Sequence, residues 1–566
     1  MPMYRSRLPG ILFGLLWSAT SHAQAIDLLV TNARIATLDQ DFSFVSTMAI
    51  NANRIVATGG DELAARYNAK WTLDLGGRFV MPGFVDSHIH ISGNPPWYID
   101  LTKVQSVVEI TTLVKQRAAE LPKGHWITGY GWSEDALIEK RRPLRDDLDD
   151  AAPDNPVGLT RAGGHSAVFN SAGLAFGKID ERTAQPESGV IEKGESGRLN
   201  GIIRERQDII LDLAPQATDE TVRSSFIENL QNLFRLGITS IVQAQDTIEH
   251  YAEWKRIYAT HRGMLPRAAV QVAWAGQEKM QAFAHKTGDG DEHLRLGAIK
   301  VFVDGGFTGP AAYTKKPYRG MGDYHGSLTM KEAQLMNIFS EAHAAGWQLG
   351  VHAIGDAAIE LTVKELAAVI AKHPRADHRH YLNHFTIKPS EATMADMANH
   401  GIAITQQPNF TFTLEGRYAA YLDAPRLASN NPLRSPLRHG IHLAISSDIL
   451  PIGPMTGLYA AVTRKGMSGK VHGAEEALTI QEALVAYTHK GAWLTFEENQ
   501  KGTLEPGKLA DFIVLSTDPV KINPDGLMDV RVDETWLGGI QVWSRPFPVG
   551  ATASVQTPDP MRSGRE

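Results

Sequence analysis

Residues 81–90 read MPGFVDSHIH. A Pro-Gly turn opens onto an apolar run, the pattern of a buried strand, and the run ends on His88 and His90. Strand alternation turns both imidazoles to the same side. With 21 histidines in 566 residues, about one such H-x-H pair is expected by chance, so its meaning depends on what the other strand ends carry.

Five further runs continue the pattern: GAIKVFVDGG (297–306), WQLGVHAIGD (347–356), HYLNHFT (380–386), GIAITQQPN (401–409) and IHLAISSDI (441–449). Helix-like segments at 331–345, 357–372 and 391–399 lie between them. Strand-helix alternation over 81–496 predicts a parallel α/β fold, either a (β/α)8 barrel or an open doubly wound sheet. No G-x-G-x-x-G or P-loop follows a strand, which disfavours the nucleotide-binding sheet. The stretch from His90 to Lys300 is longer than its strand-helix units need, and 95–201, rich in turns, is the predicted inserted subdomain.

At the two ends, 26–80 and 497–548 alternate in the strand manner. Each is too small to bury a core alone, so they are expected to pair into one small β-sandwich domain. Residues 549–566 form a polar tail. The first 25 residues carry Arg5 and Arg7, then a short apolar stretch, then Ala23 and Ala25. That order is expected of a signal peptide, hence a periplasmic or secreted protein with no membrane span after its removal.

The net charge is −7 and there are no cysteines. The first fact argues against a nucleic-acid partner. The second removes disulfides, thiol nucleophiles and thiolate ligands together, so a metal would rest on imidazole and carboxylate. The predicted strands supply them near their C-terminal ends, where a barrel keeps its chemistry: His88 and His90, Lys300, His352, His384 and Asp448. Singly, each has a plain alternative as a core histidine or a turn-capping acid. Lys300 sits between Ile299 and Val301, where an ammonium loses hydration. It either pairs with a carboxylate such as Asp304, or its neutral amine adds carbon dioxide and becomes a metal-binding carbamate.

The order H-x-H, Lys, His, His, Asp resembles the amidohydrolase superfamily. The surrounding text is most similar to amidohydrolase family 3, which includes the N-substituted formamide deformylases. The matching segments are MPGFVDSHIH, TGYGWSED, GGHSAVFNSAGL, LNGIIRE, IKVFVDGG, VHAIGD, LNHFTI, ITQQPN, ISSDILP and GTLEPGKLADFIVL, in family order over about 27–545. The resemblance implies a metal-dependent TIM-like (β/α)8 barrel with a β-sandwich and two zinc ions per chain. His88 and His90 would bind one ion, and carboxylated Lys300 would bridge to a second held by His352 and His384. Asp448 would contact the first ion and handle protons, and His165 would lie near the substrate, with a packing role as its alternative. His378 and His380 compete with His384 for its place.

The expected reaction is attack of metal-bound hydroxide on an amide or formamide carbonyl, cleaving a non-peptide C–N bond. An esterase, lactonase or carbamate hydrolase on the same site is the alternative. Trp97, Trp132, Phe302, Phe307, Phe410, Phe412 and Tyr418 are the candidate pocket aromatics for a small-molecule substrate. A homo-oligomer stays open.

Overall fold

The apolar runs that end on the candidate ligands become neighbouring strands of one sheet. The structure, a computed structural model, describes residues 23–186, 189–215, 218–449 and 451–546; the predicted signal peptide, apart from Ala23–Ala25, and the polar tail lie outside them. Eight parallel strands form the barrel: β1 Phe84–Ile89, β2 Ile238–Gln243, β3 Arg267–Ala273, β4 Leu294–Phe302, β5 Leu349–Ala353, β6 Tyr381–His384, β7 Ala403–Gln406 and β8 Leu443–Ile445. The ladder runs from β1 to β8 in chain order. Between β8 and β1 no ladder pairing is formed. There the seam is held by Asp448 N–H to the His88 carbonyl (2.8 Å), Ser87 Oγ to the Ile445 carbonyl (3.1 Å) and Ser447 N–H to the buried Asp86 carboxylate (3.1 Å).

Helices Glu332–Ala344, Asp356–Lys372 and Glu391–Asn399 follow β4, β5 and β6. Their apolar faces cover the strands, with Leu335, Phe339, Ile359, Val363, Leu366 and Met394 in one continuous core. Among the described residues no helix is long and apolar enough to cross a membrane.

A second domain draws on both ends of the chain. Phe512–Leu515 pairs antiparallel with Phe79–Pro82 inside a six-stranded sheet, which packs on a four-stranded sheet through Leu28, Val30, Ile50, Val80, Phe512 and Val514. A further six-stranded sheet, from Tyr98–Asp100 to Leu199–Arg204, occupies the long interval between β1 and β2. It runs past residue 201 because Ile202–Arg204 keep pairing with Ser166–Val168.

A buried ion pair ties barrel to sandwich. Arg267, at the start of β3, donates to both oxygens of Asp511 at 2.7 and 3.0 Å, and both side chains are buried. Removing one partner of such a pair strands the other charge, whereas replacing both with apolar groups does not. Arg267→Met is therefore expected to lose about 3–5 kcal/mol of stability in urea titrations, and Arg267→Met with Asp511→Leu to recover most of it.

Candidate metal centre

Each candidate ligand stands where its strand delivers it. His88 lies within β1, with His90 just beyond its end. Lys300 is in the last turn of the pleat of β4, His352 is in β5, His384 closes β6, and Asp448 follows β8 by three residues. His384, Phe385 and Asp448 hold left-handed backbone angles, φ of 78°, 51° and 57°. Residues with side chains adopt these rarely, and they gather where surroundings over-determine the chain.

The three donors His88, His90 and Asp448 lie within 4.8 Å of one another. Asp448 is 4.0 Å from His88 Nε2, 3.7 Å from His90 Nε2 and 3.9 Å from His384 Nδ1. The ring centres of His88 and His384 are 4.8 Å apart, and those of His384 and His352 are 4.5 Å apart. His384 thus stands between the His88/His90/Asp448 group and a second group of His352 and Lys300.

Hydrogen bonds decide which ring nitrogens are free. His88 Nδ1 donates to the Asn383 amide oxygen at 2.7 Å, and His384 Nδ1 donates to that of Gln407 at 2.8 Å. An amide oxygen only accepts, so each ring presents its Nε2 lone pair to the site. Nε2 of His88 and of His352, and Nζ of Lys300, are buried with no hydrogen-bond partner among the described residues. Buried polar atoms without partners are costly, and a bound cation would satisfy the imidazole lone pairs among them.

Electrostatics favour the same occupant. Burial first, and then repulsion from Lys300 and neighbouring rings, holds His88, His352 and His384 well below the ordinary imidazole range and His90 at about 3. The rings are neutral and ligand-competent at neutral pH. Burial pushes Lys300 down to about 7 against the pull of Asp448, and pushes Asp448 up to about 7 against the pull of Lys300. Among the described residues Lys300 forms no ion pair. Asp304, its predicted partner, instead accepts the backbone N–H groups of Tyr313, Ile354 and Gly355 at 2.9–3.0 Å. An ammonium has no lone pair to give a metal, so Lys300 could join the second group only after losing its proton.

The competing histidines resolve the other way. Leu349 N–H donates to His380 Nδ1, His380 Nε2 to His343 Nδ1, and His343 Nε2 to the His373 carbonyl. His378 accepts from His380 N–H and donates to the His400 carbonyl. Every ring nitrogen is used, which leaves none for a metal.

A cavity of about 320 Å³ opens beside the cluster, lined by His90, Lys300, His352, His384, Asp448 and His165. Phe302, Phe307, Phe410 and Tyr418 form its apolar walls. Trp97 and Trp132 do not reach it: both pack inside the inserted subdomain, where Trp132 donates to the Leu159 carbonyl. Phe412 packs edge-on against Tyr459 instead. Asn383 and Gln407, fully buried polar side chains beside the strand ends, carry no local signal in the sequence.

Comparison with known proteins gives a consistent result. A profile described as the amidohydrolase family matches residues 72–543. The protein YtcJ of Bacillus subtilis, whose name assigns it as an amidohydrolase, is 29% identical over 87% of this chain and 94% of its own. An N-substituted formamide deformylase of Arthrobacter pascens is 27% identical over 92% and 99%. The fold is shared with the crystal structure of an uncharacterized metal-dependent hydrolase from Pyrococcus horikoshii, with a TM-score of 0.68 at 24% identity, covering 88% of this chain and 99% of that one.

Groups that orient a ligating histidine typically contribute 10- to 100-fold in metal affinity. Asn383→Ala is expected to weaken zinc retention by about that factor in chelator competition, and His378→Asn to leave it unchanged.

Proposed function

The chain belongs to the amidohydrolase family and is a metal-dependent hydrolase acting on carbon–nitrogen bonds, and from that premise we propose that it cleaves the amide or formamide bond of a small, largely apolar N-acyl amine. The observation that carries this reading is the set of neutral, unpartnered nitrogen donors and one carboxylate around a single cavity at the strand ends. The likeness to an N-substituted formamide deformylase supports the choice of bond.

His88, His90 and Asp448 would hold one divalent cation, and His352 with His384 the other. Imidazole and carboxylate donors without thiolate suit zinc. Such an ion supplies a Lewis acid that acidifies water from a pKa of 15.7 to about 7 and polarises a carbonyl. Lys300 completes the second group as a carbamate: its neutral amine forms an N–C bond to carbon dioxide and releases a proton to solvent. The depressed basicity of Lys300 and its lack of a hydrogen-bond partner among the described residues support that modification.

Asp448 takes the proton of the attacking water and passes it to the leaving nitrogen, which departs as an amine. Its carboxylate stands 3.7 Å from His90 Nε2 and lines the cavity, where it can reach both the water and the leaving nitrogen. Phe302, Phe307, Phe410 and Tyr418 exclude bulk water and receive an apolar group of the substrate. The basic and then apolar leader supports export, so that the enzyme would act in the periplasm or outside the cell.

Elemental mass spectrometry of protein purified with bicarbonate is expected to find about two metal ions per chain, and about one or none in Lys300→Ala. Across a panel of N-acyl and N-formyl arylamines, Asp448→Asn is expected to slow cleavage by about 10²–10⁴-fold, and matched aryl esters by less. Protein that stays metal-free after reconstitution, or that opens esters and no amide, would overturn the proposal.

A further inference from the structure

Two of the quoted segments have no part in the metal cluster: GGHSAVFNSAGL (163–174) and LNGIIRE (199–205). Both belong to the inserted sheet, where Ser166 pairs with Arg204 across antiparallel strands. That register sets His165, just before one strand, beside Glu205, just after the other. Glu205 N–H donates to the His165 carbonyl at 2.9 Å, and His165 Nδ1 lies 3.0 Å from Glu205 Oε2. Glu205 adopts a left-handed φ of 60°, uncommon for a residue with a side chain, and in that conformation its carboxylate meets the ring.

The barrel makes room for this pair. Gly306 and Gly309 follow β4, the strand of Lys300. A Cβ on Gly306 would collide with His165 Nε2, and one on Gly309 would stand 2.7 Å from Glu205 Oε1. The two glycines let the inserted sheet lean over the mouth of the barrel, and His165 there lines the same cavity as Lys300, His352, His384 and Asp448.

The chemistry of the pair is one-sided. A carboxylate only accepts, so in the neutral ring Nδ1 carries the proton and Nε2 keeps its lone pair. Nε2 makes no hydrogen bond among the described residues. The other polar wall residues, Gln245, Thr308 and Thr386, can each offer a donor or an acceptor. His165, tied to Glu205, offers only an acceptor. We propose that His165 Nε2 accepts a hydrogen bond from the N–H of a secondary amide substrate, and that Glu205 is the positioning residue that fixes the ring in that role. The inference rests on the amide reading above and adds a selectivity to it. Substrates with an N–H are taken over N,N-disubstituted amides, and the inserted subdomain sets that choice.

Two measurements test the proposal on the full-length, zinc-loaded protein. The first is the tautomer of His165 by ¹⁵N NMR of histidine-labelled protein, the signal assigned by its loss in His165→Asn. The Nδ1–H form is expected in the wild type and its loss in Glu205→Leu; a wild-type Nε2–H form would overturn the proposal. The second compares formanilide with N-methylformanilide. The preference for formanilide is expected to exceed about tenfold, to collapse to within about twofold in His165→Asn and Glu205→Leu at unchanged metal content, and to be partly restored in Glu205→Asp. An equal loss on both substrates would mean a merely structural role and overturn it. Wild-type protein that cleaves neither anilide counts against the amide reading, and the tautomer then decides the His165–Glu205 assignment by itself.

Discussion

The 2.8 Å hydrogen bond from Asp448 N–H to the His88 carbonyl closes the one seam of the barrel that has no strand ladder. It therefore serves the fold and the site together. Parallel strands closing on one axis bring all their C-terminal ends to one face, and this bond sets the last strand end against the first. Asp86, two residues before His88, braces the same seam by accepting from Ser447 N–H. The barrel closes here only in an arrangement that also puts the Asp448 carboxylate within 4.0 Å of both histidines of the first pair.

What separates the candidate ligands from the scaffold among the buried histidines is the fate of each ring nitrogen. His343, His378 and His380 spend both nitrogens on backbone groups and on one another. His88 spends one on Asn383 and leaves the other unpartnered. Both sets are pushed towards the neutral form by burial, so titration does not tell them apart. The accounting of hydrogen bonds does, because a buried polar atom without a partner persists only where something else will satisfy it.

The inserted subdomain has its own apolar core, with Trp132, Leu148, Leu159 and Val168 inside it. It meets the barrel through polar contacts, glycines and the packing of Ala162 in one apolar cluster with Phe307 and Tyr418. Arg161 donates to Glu134 within the insert, and Glu134 is also bound by Arg417 from the segment that follows β7. Gly163 and His165 in the cavity lining are thus carried by a scaffold separate from the strands that present the candidate ligands.

Much of this was legible in the residues themselves. Strand and helix periods located β1, β4 to β8 and the three helices after β4, β5 and β6 but not β2 and β3, and the H-x-H, Lys, His, His, Asp order supplied the ligand candidates, because alternation in a strand dictates the side on which a residue emerges. Lys300 stood out for its apolar neighbours alone. Other features had no local signature. Whether His384 or His380 faces the site, whether Asp304 pairs with Lys300, and whether Trp132 or Tyr418 reaches the cavity depend on contacts between segments tens to hundreds of residues apart. The same holds for Asn383 on His88, 295 residues away in sequence, and for Glu205 on His165, 40 residues away. The sequence determined which chemical groups are carried to the strand ends, since periodicity is a local property. Only the tertiary structure decided which of their atoms are left free, since a hydrogen-bond partner is chosen by whatever the folded chain brings within 3 Å.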